Sequence, residues 1–163
     1  TSLTYNLRGF VTGSSDPDRG SWTYVANAFG ETTGQTDAKS QNVTFTYDKL
    51  SRPLTRIEPE GTTYWTWGNS ATAKNIGQLW TITSPGGYSE VSSFDSLGRL
   101  SQQSVTADAT TYDVNFTYHA QTGLLDTLQY PLSTSGYRLK LAYDYSNNLL
   151  QKVRDFSGST IFW

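Results

Sequence analysis

The chain has 163 residues, with 12 Lys and Arg against 14 Asp and Glu, and its formal charge at pH 7 is −2. It has no cysteine and one histidine, which excludes disulfide scaffolds, thiolate metal sites and multi-histidine metal sites. The slightly acidic balance gives no electrostatic reason to bind nucleic acid, and no apolar run approaches the roughly 20 residues that span a bilayer.

The remaining composition predicts an all-β protein. The chain has 11 Tyr, 7 Phe, 5 Trp and 14 Gly, and threonine is abundant. Aromatic and β-branched side chains favour strands, and so many aromatic residues are not typical of a disordered chain. Because the sequence has no methionine and begins within its repeating pattern, we expect it to be a piece of a longer polypeptide.

Short strands and turns alternate along the chain. In the first third, Val43, Phe45 and Tyr47 alternate with threonines, which predicts a strand with one covered and one polar face. A returning strand is predicted over residues 79–83, and further strands over 114–118, 125–130 and 139–143. Segments with Pro or Gly at 16–20, 58–61 and 84–87 predict the intervening turns.

One motif recurs: an aromatic residue, Asp or Asn, a small turn residue three positions later, and then an apolar residue. The clearest copies are residues 47–54 and 94–100. The turn residues are Gly9, Gly30, Ser51, Gly77, Gly98, Gly123 and Asn147, at intervals of 21, 21, 26, 21, 25 and 24, and the copies that contain Gly77 and Gly123 carry insertions. The Asp or Asn side chain is expected to accept the turn's own N–H groups, and the turn residue to have a positive φ. Ser51 is the least suited to that conformation.

These repeats predict the architecture. One hairpin is marginally stable alone, so successive hairpins must pair side by side. We therefore expect residues 1–163 to form a single array of about seven hairpins in a twisted, curved antiparallel sheet, with no separate catalytic domain. Unpaired strand edges at the two ends are expected to favour dimers.

The motif Tyr-Asp-x-x-Gly-Arg-Leu, with Asp-Pro-Asp and Glu-Pro-Glu turns between copies, resembles the RHS, or YD-repeat, family. The resemblance implies that the sheet is a segment of a hollow β-shell. In bacterial Rhs proteins and insecticidal toxin complexes, such a shell encloses a C-terminal effector, and teneurin-type surface proteins use a similar shell for adhesion. The implied role is encapsulation within a secreted or cell-surface protein, with the rest of the shell and the enclosed effector as partners. The sequence shows no counterpart of the segment that ends bacterial shells, and no toxin domain.

Aromatic side chains are the only candidates for a ligand site. Trp65, Trp67 and Tyr64 lie close together in sequence and are candidates for stacking against sugar rings or a receptor. This interpretation makes the chain a carbohydrate- or receptor-binding adhesion module, with surface glycans as partners. The alternative is that these rings pack across strands and fill the covered face of the sheet.

No catalytic residue, cofactor or metal is predicted, and we expect the chain not to be an enzyme. His119 follows a strand within a repeat turn, a position typical of a structural residue. Four carboxylates flank prolines and predict turns rather than acid–base pairs: Asp16, Asp18, Glu58 and Glu60. Asp113 has no partner that the sequence can identify. The recurrence of Asp48, Asp95 and Asp144 with the repeat predicts that they build turns.

Overall fold

The computed structural model describes residues 1–157 and 160–163, and in that part of the chain fourteen strands form one antiparallel sheet in chain order. The strands are β1 (Ser2–Tyr5), β2 (Val11–Asp16), β3 (Gly20–Ala26), β4 (Thr32–Thr36), β5 (Asn42–Tyr47), β6 (Pro53–Glu58), β7 (Gly61–Trp67), β8 (Leu79–Ser84), β9 (Tyr88–Phe94), β10 (Leu100–Ala107), β11 (Thr110–Tyr118), β12 (Leu125–Gln129), β13 (Lys140–Ser146) and β14 (Leu149–Asp155). The prediction of an all-β fold built from successive hairpins is confirmed.

Helical structure is minor. A short 3₁₀ turn occupies Pro85–Gly87. Across the described residues, no helix has the length and apolar character needed to cross a membrane.

The chain divides into two compact units. The first comprises Thr1–Thr66 and Ile82–Gly86, and the second comprises Trp67–Thr81 and Gly87–Trp163. That the whole chain acts as one array stays a prediction.

In the first unit, alternate residues of each strand face opposite sides of the sheet. Val43 of β5 and Thr63 of β7 are buried, with 9% and 6% of their surface exposed. Arg56 of β6 pairs with Phe45 and with Thr63, and Phe45 lies on the same side of β5 as Val43, so all four residues share one face. We call the side that carries Val43 and Thr63 the covered face. Ile57 is exposed on the other side, which is rich in threonine.

The second unit covers residues on both sides of its sheet to different extents. Thr127 of β12 and Ala142 of β13 are paired and only 4% exposed. Their neighbours Leu128 and Leu141 are also paired, face the opposite side and are partly exposed. The small side chain of Ala142 is buried beside Thr127.

The pairing register shifts by one residue beside the repeat turns. In the first unit, the shifts lie at Thr4/Tyr5, Val25/Ala26 and Thr46/Tyr47. The second unit has them in the pairs β9–β10, β11–β12 and β13–β14. The hairpins that turn at the opposite strand ends keep a regular register, as in β2–β3, β4–β5 and β6–β7. A bulge bends its strand and increases the local twist, so this distortion is confined to one end of the strands in each unit.

The two outermost strands differ in how they are covered. β1 is the first strand in the order, and all four of its residues are exposed. At β14, the N–H of Val153 donates to the carbonyl of Trp163 at 2.7 Å, and the Val153 carbonyl accepts the Phe162 N–H at 2.8 Å. The last residues of the chain therefore cover part of the β14 edge, which the sequence did not predict. Dimer formation through a free edge stays a prediction.

Candidate functional site

The feature that recurs most regularly is the repeat turn. At five turns, the side-chain Oδ1 of the first residue accepts the N–H groups of the residues two and four positions later, at 2.8–3.1 Å. The first residues are Asn6, Asn27, Asp37, Asp48 and Asp95. The backbone of each first residue also bonds to the third and fourth residues after it. Each turn therefore satisfies its own polar groups without help from another segment.

All seven predicted turn residues have a positive φ, which confirms the sequence argument. The values are 82° for Gly9, 86° for Gly30, 61° for Ser51, 75° for Gly77, 77° for Gly98, 71° for Gly123 and 51° for Asn147. Ser51 adopts this conformation although a side chain disfavours it.

Two repeat turns add an ion pair. The Arg52 side chain donates to Asp48 Oδ2 at 2.7 Å through Nε, and Arg99 donates to Asp95 Oδ2 at the same distance. The hydrogen bond from Arg52 is the main reason that the pKa of Asp48 lies below its usual value. Each carboxylate thus uses one oxygen for the backbone and the other for arginine.

A tyrosine links each of two turns to the next repeat. Tyr47 Oη donates to the carbonyl of Thr32 at 2.8 Å, and Tyr118 Oη donates to the carbonyl of Leu100 at 2.8 Å. Thr32 and Leu100 occupy the same position, five residues after the Asn or Asp that begins the preceding turn. The sequence signal for these links is the aromatic residue before Asp48 and before His119, but its partner depends on strand pairing.

Asp144 does not build a turn, and that prediction is wrong. It lies inside β13, and the hairpin turns instead at Asn147 and Asn148, which have φ of 51° and 62°. Asp144 Oδ2 accepts from Arg154 Nε at 2.8 Å across the β13–β14 pair, and this hydrogen bond lowers the pKa of Asp144.

His119 takes the place that Asp or Asn has in the other turns. Its N–H donates to the Leu124 carbonyl at 2.8 Å, and its Nδ1 accepts the Thr122 N–H at 3.4 Å. Asp126 and Asp144 border a cavity of about 300 Å³ together with His119. That His119 is structural stays a prediction.

Three of the other acidic candidates have local partners. Asp16 Oδ1 accepts the N–H groups of Asp18 and Arg19, at 3.0 and 3.2 Å, as expected of a turn residue. Glu58 Oε2 forms an ion pair with Arg56 at 2.5 Å. Asp113 accepts a hydrogen bond from the Ser104 hydroxyl across the β10–β11 pair.

The aromatic candidates are divided by the alternation of β7. Tyr64 is 52% exposed, and its neighbours Trp65 and Trp67 are half-buried and lie on the opposite face. Tyr64 therefore does not share one stacking surface with the two tryptophans. A ligand for these residues stays a prediction.

Comparison with known proteins identifies the repeat. Residues 27–63 match the family model described as RHS Repeat. This segment is therefore similar to an RHS repeat. The matched segment includes the turns that begin at Asn27 and Asp48, so the resemblance predicted from the motif is confirmed there. No curated protein matches this chain in sequence.

Two solved structures similar to this chain contain much longer chains. One is the crystal structure of TcdB2-TccC3, at 14% identity and a TM-score of 0.45, with 97% of this chain and 13% of that chain covered. Another is the Photorhabdus luminescens Tc holotoxin pore, at 14% identity and a TM-score of 0.39, with 97% and 12% covered. This chain therefore spans about an eighth of the length of these chains.

Proposed function

We propose that this RHS-repeat chain is a segment of a hollow β-shell in a secreted toxin or cell-surface protein, and that the shell encloses a C-terminal effector. The segment acts as wall: it holds another polypeptide apart from its surroundings and contributes no reaction of its own. Its partners are then the rest of the same shell and the enclosed polypeptide.

The observation that carries this proposal is the amount of surface that the sheet leaves uncovered. The accessible surface is 10,810 Å², whereas a compact protein of 18.1 kDa exposes about 8,100 Å². Val43 and Ala142 are the only hydrophobic residues among the described ones that count as buried. A sheet with so little core needs further protein against its faces, as a wall around a contained polypeptide would have.

The repeat turns also support the proposal. Because each turn satisfies its own backbone groups, the same hairpin can recur many times without a different neighbour to complete it. The match of residues 27–63 to the RHS Repeat model also supports the proposal, because RHS repeats form such shells.

Protease protection of the native gene product tests the proposal. The intact product is digested under native conditions, and the surviving fragments are identified by mass spectrometry. We expect a region outside these 163 residues to be protected, and to become cleavable when Asp48→Ala and Asp95→Ala together weaken two repeat turns. Matched substitutions at exposed neighbours, Lys49→Ala and Ser96→Ala, serve as the control. Equal cleavage of that region in the native product and in the weakened variant would contradict enclosure, as would a native product little longer than this chain.

A further inference from the structure

Two repeat junctions have the same backbone geometry and therefore can be compared position by position. The turns that begin at Asn27 and Asp95 make the same side-chain contacts to the N–H groups two and four residues later. Tyr47 and Tyr118 then donate to the equivalent carbonyls at the same distance, 2.8 Å.

The junctions differ in the charge at the fifth turn position. In the second unit that position is Arg99, whose guanidinium is bound to Asp95 and lies 4.3 Å from the centre of the Tyr118 ring. In the first unit the position is Glu31. Its Oε2 accepts from Asn27 Nδ2 at 2.5 Å, which is the same contact with donor and acceptor exchanged.

This exchange leaves a carboxylate oxygen without a partner. Glu31 Oε1 is buried and has no hydrogen-bond partner, and no ion pair of Glu31 is found within residues 1–157 and 160–163. A buried charged oxygen without a partner is costly. Burial, together with the negative charge of Glu31, raises the pKa of the Tyr47 hydroxyl.

A pocket lies at the same place. It has a volume of about 580 Å³, and the residues that line it include the aromatic Phe29, Phe45 and Tyr47, the acidic Glu31 and Asp48, and the exposed Lys49. Pockets of this size hold small ligands, and aromatic faces beside carboxylates attract organic cations. We call it the Glu31 pocket.

We propose that the Glu31 pocket binds the guanidinium group of an arginine side chain carried by a partner polypeptide. The incoming guanidinium takes the place that Arg99 occupies beside Tyr118 and lies against the Tyr47 ring. Rotation of the Glu31 side chain brings Oε1 from its buried position to the guanidinium N–H groups. A planar guanidinium with several donors suits a carboxylate next to an aromatic ring better than a compact ammonium does. The proposal depends on this pocket alone and does not require that the chain belong to a shell.

The test uses the 163-residue chain with N-acetyl-arginine amide as the probe and N-acetyl-citrulline amide as its uncharged isostere. Binding is followed by calorimetry and by the NMR signals of the Tyr47 ring, assigned with Tyr47→Phe. We expect the arginine probe to bind and to shift these signals. The citrulline probe should bind about tenfold more weakly or worse, and Glu31→Gln should weaken the arginine probe by a similar factor.

A second variant tests the proposal even if Glu31→Gln does not fold. Asn27→Asp with Glu31→Arg reproduces the Asp95–Arg99 pair, so it should fold and lose binding because its own guanidinium fills the pocket. Lys49→Gln should bind at least as tightly as the original chain. Equal binding of arginine and citrulline would overturn the proposal, as would full binding by Glu31→Gln. Binding that appears only after Lys49→Gln would also overturn it, because Lys49 would then be the pocket's own cation.

Discussion

Replacing Asp95 tests whether the repeat turns are held by side-chain contacts to the backbone. Asp95 Oδ1 accepts the N–H groups of Leu97 and Arg99, both at 2.9 Å, and Oδ2 binds the Arg99 side chain. The side chains of Asp95 and Arg99 are 22% and 30% exposed, so the ion pair is partly solvated. Each of the two hydrogen bonds contributes about 1 kcal/mol and a partly exposed ion pair about 0.5 kcal/mol, so Asp95→Ala should lower the free energy of unfolding by about 2.5 kcal/mol.

Asp95→Asn separates the two contributions. Asparagine keeps the oxygen that accepts both N–H groups, as Asn6 and Asn27 do, and it loses only the ion pair. Its expected cost is about 0.5 kcal/mol. The measurement is urea unfolding, where about 2.5 kcal/mol corresponds to a midpoint lower by about 1 M. Ser96→Ala, an exposed neighbour in the same turn, is the matched control. Equal losses for Asp95→Ala and Asp95→Asn would refute the reasoning, because the backbone contacts would then contribute nothing.

Three further predictions use the same unfolding measurement. Ser51→Gly should stabilise the chain by about 0.5 kcal/mol, because it relieves a side chain at φ 61°, whereas Ser96→Gly should not; no gain from Ser51→Gly would contradict the strain argument. Tyr118→Phe should cost about 1 kcal/mol through loss of the hydroxyl contact to Leu100, and Tyr64→Phe should cost nothing measurable; similar losses in the two variants would contradict that link. Carboxylates such as Asp48 have a lower pKa in the folded protein than in the unfolded chain, where it is about 4. Their ionised form therefore stabilises the fold above about pH 4. Stability should therefore fall as the pH drops through the lower folded values, and Asp48→Asn should reduce that dependence.

Short-range patterns made the turns predictable. The seven turn residues could be identified because only a few residue types tolerate positive φ, and the structure confirms all seven positions, including Gly77 and Gly123 in the copies with insertions. The turn that begins at Asp37 was missed although it has the same hydrogen bonds and Ser40 has φ 62°. It has neither an aromatic residue before it nor a glycine, so its sequence does not differ from that of an ordinary loop.

Contacts between repeats were not predictable in the same way. The hydroxyl of Tyr47 meets Thr32 because β4 and β5 pair in one particular register. The mistaken role of Asp144 has a related cause. Its position in the motif matches that of Asp48, but β13 continues to Ser146. Asn147 and Asn148 then form the turn, because both accept a left-handed backbone. The separation of Tyr64 from Trp65 and Trp67, by contrast, was predictable, because neighbouring residues of a strand face opposite sides.

The bulges beside the repeat turns have a consequence for how these repeats can change in length. Thr46 pairs with Thr55 and Tyr47 with Pro53, so Leu54 is an extra residue without a partner. Deleting Leu54 would restore a regular hairpin, with every later residue still on its original face. Deleting a residue from the middle of a strand would instead move every later side chain of that strand to the opposite face. The bulge therefore lets a repeat lose one residue while its side chains keep their faces.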